Sequence, residues 1–179
     1  MIRRFVLTGA PGAGKTTIAE ALKLRGYAVV DEAATHVIGT VPGIEQDTPR
    51  FLRTILQLQI DREHARREAI QVLDRTPICT LALAEYLGHQ PAPELENTVR
   101  HSRYQRRVFF VRLMDCIVPT RARRIGLEDA RRFERIHADV YQRLGYELVD
   151  IPPAPLEARV AQVIAGIGRP ATTGRRRSR

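Results

Sequence analysis

Gly9-Ala-Pro-Gly-Ala-Gly-Lys15-Thr16 stands between the apolar run Arg4-Phe-Val-Leu-Thr8 and the helix-forming run Thr16-Thr-Ile-Ala-Glu-Ala-Leu-Lys-Leu24. The eight residues have the spacing G-x-x-x-x-G-K-[ST] of a phosphate-binding P-loop, and a strand before it with a helix after it is the context that loop requires. Glycines let successive backbone N–H groups turn inward around phosphates, and the helix N-terminus adds a favourable dipole. Gly9, Ala10, Pro11, Gly12, Ala13, Gly14, Lys15, Thr16 and Thr17 are therefore expected to form a nucleotide cradle. Lys15 would reach the β- and γ-phosphates, and the Thr16 hydroxyl would bind Mg²⁺. Only Lys15 and Lys23 are lysines in a chain with 29 Lys and Arg residues. A compact ammonium on a flexible stem is thus kept at the P-loop, where it suits a phosphate, while arginine serves almost everywhere else.

At 179 residues the chain is long enough for one domain with a sizeable core. No apolar run approaches the roughly 18 residues that a membrane span needs. The start Met1-Ile-Arg-Arg-Phe-Val enters the first strand directly, so no leader is expected. Cys79 and Cys116 have neither metal-ligand spacing nor a disulfide pattern, as in a reduced, cytoplasmic protein. The net charge is +9, and residues 169–179 hold five arginines and no acid, leaving 9 − 5 = +4 for the rest. That remainder suits a protein with polyanionic ligands. The tail, rich in Gly, Pro and small polar residues, is expected to be disordered and to contact nucleic acid only nonspecifically. The expected division is thus a domain over residues 1–168 and a basic tail over 169–179.

Strand and helix patterns alternate along the chain, which predicts an α/β fold: a five-stranded parallel sheet with helices on both faces. Strands are expected at 4–8, 27–31, 71–74, 108–113 and 147–151. Helices are expected at 14–25, 32–38, 48–68, 77–87, 94–104, 127–144 and 155–167. Thr48 reads as the cap of the third helix, with Pro49 in its first turn. Ligands of such sheets gather at the carboxyl ends of the strands. Two acidic clusters fall there: Asp31-Glu32 after the second strand and Asp74-Arg75-Thr76 after the third. Phosphoryl transfer needs an acid for Mg²⁺ and a second to take the acceptor hydroxyl's proton. Asp74 is placed at the metal and Glu32 at the acceptor, with Asp31, Arg75 and His36 beside the substrate; capping of the following helices is the competing role for both acids. Arg121, Arg123 and Arg124, after the fourth strand, form an arginine-rich segment suited to a lid over phosphates. A solvated helix face is the competing reading of that segment. The other histidines, His137 among them, are assigned structural roles.

With the P-loop, the Asp31-Glu32-Ala-Ala segment, the Asp74-Arg75-Thr76 segment and the arginine segment in that order, the chain resembles a family over residues 3–167. It is similar to the small AAA-labelled P-loop domains that include the nicotinamide-riboside kinase part of a bacterial NAD regulator, and more distantly to deoxynucleoside and thymidylate kinases. The resemblance implies Glu32 as base, Asp74 and Arg75 in magnesium and substrate-phosphate binding, and Arg121 and Arg124 as catalytic lid arginines. It also implies that Pro152 and Pro153 lie near adenine. An oligomeric motor is not expected, because the acidic Ala28-Val-Val-Asp31-Glu32 run comes on the strand directly after the P-loop helix. The expected activity is transfer of a phosphoryl group from ATP, with Mg²⁺, to a hydroxyl of a small molecule. The alternative is a regulatory NTPase that signals to a protein partner. Residues 39–60 and 76–105 are expected to line the acceptor pocket. The chain has no tryptophan and no aromatic base-binding sequence near the second strand, so the acceptor stays open.

Overall fold

The computed structural model describes residues 1–113 and 126–168. Its elements follow the expected alternation: β1 (Arg3–Thr8), α1 (Lys15–Leu24), β2 (Ala28–Val30), α2 (Ala34–Thr40), α3 (Thr48–Ala65), β3 (Ile70–Asp74), α4 (Pro77–Tyr86), α5 (Pro93–His101), β4 (Arg107–Val111), α6 (Leu127–Arg143), β5 (Glu147–Ile151) and α7 (Leu156–Ile167). A single 3-10 turn, Ile44–Gln46, sits between α2 and α3. The five strands form one sheet in the order β2-β3-β1-β4-β5, every pair parallel. This is the predicted fold, with the P-loop strand at the centre.

Alternation along β1 explains the layers. Phe5 and Leu7 point to one face, where Ile18 and Leu22 of α1 and Val160, Val163 and Ile167 of α7 cover them. Val6 points to the other face, toward Leu56 of α3, Ile78 and Ala82 of α4, Leu95 of α5 and Val140 and Tyr141 of α6. Buried on both sides, the strands read as near-continuous apolar runs. A smaller cluster of Ala33, Val37, Ile44, Phe51 and Ile55 packs α2 against the start of α3. No described helix is long and apolar enough to cross a membrane.

Several boundaries differ from the sequence expectation, each for a local reason. The cap of α3 is Asp47, whose carboxylate accepts from the Arg50 amide at 3.2 Å, and Thr48 is already helical. α3 stops at Ala65 because Arg66 is extended, and its guanidinium is drawn to the Val29 carbonyl at 3.1 Å. β4 ends at Val111, since the Leu113 amide leaves the ladder for the Glu134 carboxylate at 2.9 Å. α2 begins at Ala34, two residues later than expected, so Glu32 lies before the helix rather than in it.

Candidate active site

The loop between β1 and α1 takes its shape from glycines at two places. Gly9 has φ +132°, and a side chain there would meet the Val111 carbonyl oxygen of β4 at 2.3 Å. Gly14, φ +86°, is the left-handed cap of α1 and lies against the Arg159 guanidinium. Any other residue type would be strained at both positions. Pro11, Gly12, Gly14, Lys15, Thr16 and Thr17 line a cavity of about 510 Å³ at the carboxyl edge of the sheet. Lys15, expected to reach the phosphates, is buried here, and its ammonium donates to the Ala10 carbonyl of its own loop at 2.7 Å. A desolvated cation takes the nearest carbonyl. Burial pulls its pKa down to about 8, helped by nearby Arg75 and opposed by Asp74 and Glu32.

Across the cavity, β2 and β3 deliver Glu32 and Arg75 to one another. The Glu32 carboxylate accepts from Thr35 at 2.9 Å and forms an ion pair with Arg75 Nε at 2.7 Å. Burial pushes the Glu32 pKa up, but Arg75, Lys15 and the Thr35 hydroxyl outweigh it, and the net direction is downward. Glu32 is therefore held as a carboxylate. Arg62 of α3 fixes its backbone by donating to the carbonyls of Asp31 and Glu32.

Arg75 has φ +73°, the one non-glycine residue in the left-handed region among those described. Its amide donates to Leu7 at 3.1 Å, and its carbonyl accepts from Gln59 Nε2 at 3.2 Å. Neighbours thus over-determine a conformation that costs about 1–3 kcal/mol, as is common where function sets geometry. The guanidinium also lies 3.4 Å from Nε2 of His137, whose Nδ1 is 3.2 Å from the Phe133 carbonyl. Nδ1 must donate to that carbonyl, which leaves the Nε2 lone pair for Arg75. His137 is fully buried, and burial, with Arg75 and Lys15 adding to it, holds its pKa well below the usual value. It is a neutral acceptor. The expectation of a purely structural histidine missed this contact; its one sequence signal was the spacing of Phe133 and His137, one helical turn apart after the arginine segment.

Asp74, at the end of β3, is buried and its Oδ1 has no hydrogen-bond partner. Burial raises its pKa to about 6, opposed by Lys15 and Arg75 and reinforced by Glu32 and Asp31. A buried, unpartnered carboxylate oxygen fits a hard cation. Among the described residues no group of three or more His, Cys, Asp or Glu side chains could hold a metal. Asp74 and the Thr16 hydroxyl would therefore be the protein's share of a Mg²⁺ shell that phosphates and water complete.

The remaining lining is largely apolar, with Ile38, Phe51, Ile55, Cys79, Leu83 and Phe133 beside the polar Gln59, Thr76 and Thr80. Phe133 is set edge-on to Tyr86, 4.7 Å between ring centres, and Arg132 lies over that Tyr86 ring. The expected ranges 39–60 and 76–105 include Phe51, Ile55, Gln59, Cys79 and Leu83 but miss Phe133, which α6 brings back over the site. Other expected residues lie elsewhere. Asp31 is outside the cavity and pairs with Lys23 of α1 at 2.5 Å, because its side chain leaves the edge strand on the solvent side. His36 is exposed on α2 and does not line the cavity. Pro152 and Pro153 are exposed after β5 and line it no more than His36 does. Arg121, Arg123, Arg124, Cys116 and the tail lie outside the described residues.

The family model for an AAA domain matches residues 4–159. No curated protein sequence matches the chain significantly. Among solved structures, deoxyadenosine kinase from M. mycoides with bound dATP is similar, with a TM-score of 0.60, 16% identity and coverage of 92% of this chain and 98% of that one. The same enzyme with dCMP and a flexible dCDP gives a TM-score of 0.55 at 19% identity, covering 91% of this chain and 97% of that one. Thymidylate kinase from Ehrlichia chaffeensis gives 0.59 at 14% identity, covering 93% of this chain and 98% of that one. These identities carry the fold, which is that of the P-loop kinases, and the P-loop family follows from the matched domain. The chain belongs to the AAA-domain family of P-loop proteins.

Proposed function

We propose that the protein is an ATP- and Mg²⁺-dependent kinase that phosphorylates a hydroxyl of an uncharged, nucleoside-like small molecule. One observation carries the reading: the P-loop with Lys15 and the ionised, half-buried Glu32 paired with Arg75 line a single cavity whose other lining is largely apolar and aromatic. Bound Mg²⁺ would supply charge neutralisation on the phosphates. In this reading the loop amides and Lys15 hold the phosphoryl oxygens, Thr16 and Asp74 face the metal, and Glu32 receives the proton of the acceptor hydroxyl. The acceptor oxygen forms the new bond to phosphorus as the bond to the bridging oxygen of ADP breaks. Arg75 holds Glu32 in place until the acceptor arrives and lies within reach of the transferring group.

The charge of the acceptor half favours an alcohol over a phosphate ester. Its described lining contains one cation, Arg75, already matched by Glu32. An acceptor that carried its own phosphate would place a further dianion beside Glu32, with no additional cation among the described lining residues to meet it. The apolar walls suit a flat ring. The alternative, a nucleotide-dependent switch read by a protein partner, is favoured by no described feature. The test is a screen of nucleosides, nicotinamide riboside, aminoglycoside-like alcohols and nucleoside monophosphates for Mg-ATP-dependent ADP release. Stimulation by an uncharged alcohol is expected. Stimulation by monophosphates alone, or by none of the panel, would contradict the reading.

A further inference from the structure

The first turn of α7 holds a charge that the mechanism above does not use. Arg159 is 5% exposed, and its guanidinium backs the P-loop. One terminal nitrogen donates to the Ala13 carbonyl, and both terminal nitrogens lie where a side chain on Gly14 would have to go. Its Nε is buried without a hydrogen-bond partner, and no ion pair joins it to a carboxylate among the described residues. Burial lowers its pKa, and no nearby acid opposes that. Other deeply placed cations of this site have carboxylates close by: Arg75 has Glu32, and Lys15 has Asp74 and Glu32 in its field. A buried cation without a counter-ion is costly, and a fold retains one where an anion will arrive. The anion this loop is built for is a nucleotide's phosphate chain.

We propose that Arg159 is a nucleotide-positioning residue: it holds the Ala13 carbonyl outward, so that the loop amides face the phosphates, and it is the counter-charge that those phosphates find behind the loop. The inference rests on the P-loop reading but not on any acceptor. Two consequences separate it from a merely structural clamp. Removing the charge should weaken nucleotide binding without slowing transfer at saturating ATP, because the interaction is equal in ground and transition states. It should also leave the ligand-free protein as stable as before or more so, since a desolvated charge is gone.

The experiment measures Mg-ATP and Mg-ADP affinity by calorimetry, and melting temperature with and without Mg-ATP, for the full chain and for Arg159→Met, Arg159→Gln and Arg159→Lys. Both nucleotide Kd values should rise about tenfold or more in Arg159→Met, with a smaller ligand-induced rise in melting temperature. Arg159→Gln keeps a donor for Ala13 and should bind almost as weakly, whereas Arg159→Lys should recover part of the affinity. Once an acceptor is found, KM for ATP should rise while kcat changes by less than about threefold. Unchanged Kd values, or full recovery in Arg159→Gln, would overturn the proposal. So would a fall in ligand-free melting temperature with affinity intact. If the unaltered chain bound no Mg-nucleotide, the P-loop reading would fall first and this proposal with it; binding by the unaltered chain with no effect in the variants removes this proposal alone.

Discussion

The two ends of the cavity are built differently. The phosphate end is one continuous stretch, Gly9 to Thr17, whose geometry is set by its own glycines and by the helix it opens. The acceptor end is assembled from distant segments: Glu32 after β2, Gln59 on α3, Arg75 after β3, and Phe133 on α6. The first is a backbone site, the second a side-chain site. A backbone site tolerates change in most of its side chains. A side-chain site depends on positioning residues such as Arg62 and His137, which hold Glu32 and Arg75 without lining the cavity themselves.

Lys15→Ala removes the cation of the phosphate end's own stretch. Turnover should fall by about a thousandfold or more, roughly 4 kcal/mol of transition-state stabilisation. Because Lys15 is buried with a lowered pKa, its loss should not lower the melting temperature. Normal turnover by this variant would break the assignment of the phosphate end.

Asp74→Asn comes next, with Mg²⁺-dependent nucleotide affinity and rate both expected to fall by about a hundredfold. The same variant has a stability signature of fixed sign. The folded-state pKa of Asp74 is raised to about 6, so the folded protein binds that proton more tightly than the unfolded chain. On this group's account stability is fully present below about pH 4, is lost as pH rises toward and through 6, and stays reduced above that. Asparagine cannot ionise. Ligand-free Asp74→Asn should therefore melt higher than the unaltered protein at pH 8, with the difference shrinking toward pH 4. Nucleotide affinity of the unaltered protein should weaken as pH falls below 6. A variant that melted lower at pH 8 would show that the Asp74 carboxylate is satisfied and has no vacancy for a metal.

His137→Phe is the smallest perturbation and the sharpest probe of the acceptor end. The ring still packs on Phe133 but gives Arg75 no lone pair, so kcat with acceptor should fall about three- to tenfold while the Kd for Mg-ATP is unchanged. Equal loss in both would mean that α6 supports the whole cavity rather than Arg75.

The same contrast explains what could be read from the sequence. The P-loop was legible because its geometry is local: glycine spacing, a strand before it and a helix after it dictate the cradle without tertiary information. The five-stranded parallel sheet was legible because doubly buried strands are continuous apolar runs, as in Val108-Phe-Phe-Val111. Glu32 and Arg75 were found through a rule about strand ends, but the rule does not say which way a side chain leaves the strand. Asp31 and Glu32 are adjacent, and only Glu32 faces the cavity. Phe133 and Arg159 were invisible for a different reason. Each sits at core spacing on a helix, and only packing shows that its neighbour is the site rather than another core residue. The positive φ of Arg75 had no signal at all, since nothing in Asp74-Arg75-Thr76 calls for a glycine-like conformation.

The most direct test of the central claim is Glu32→Gln at saturating Mg-ATP, measured as acceptor-dependent ADP release beside nucleotide affinity by calorimetry. Glutamine keeps the shape and can still face Arg75 and Thr35, but it cannot take a proton. Mg-ATP affinity should be unchanged, and acceptor phosphorylation should fall by about two to four orders of magnitude. Phosphorylation within a few-fold of the unaltered protein would contradict that claim, leaving Glu32 as a partner for Arg75 and the cavity without its base.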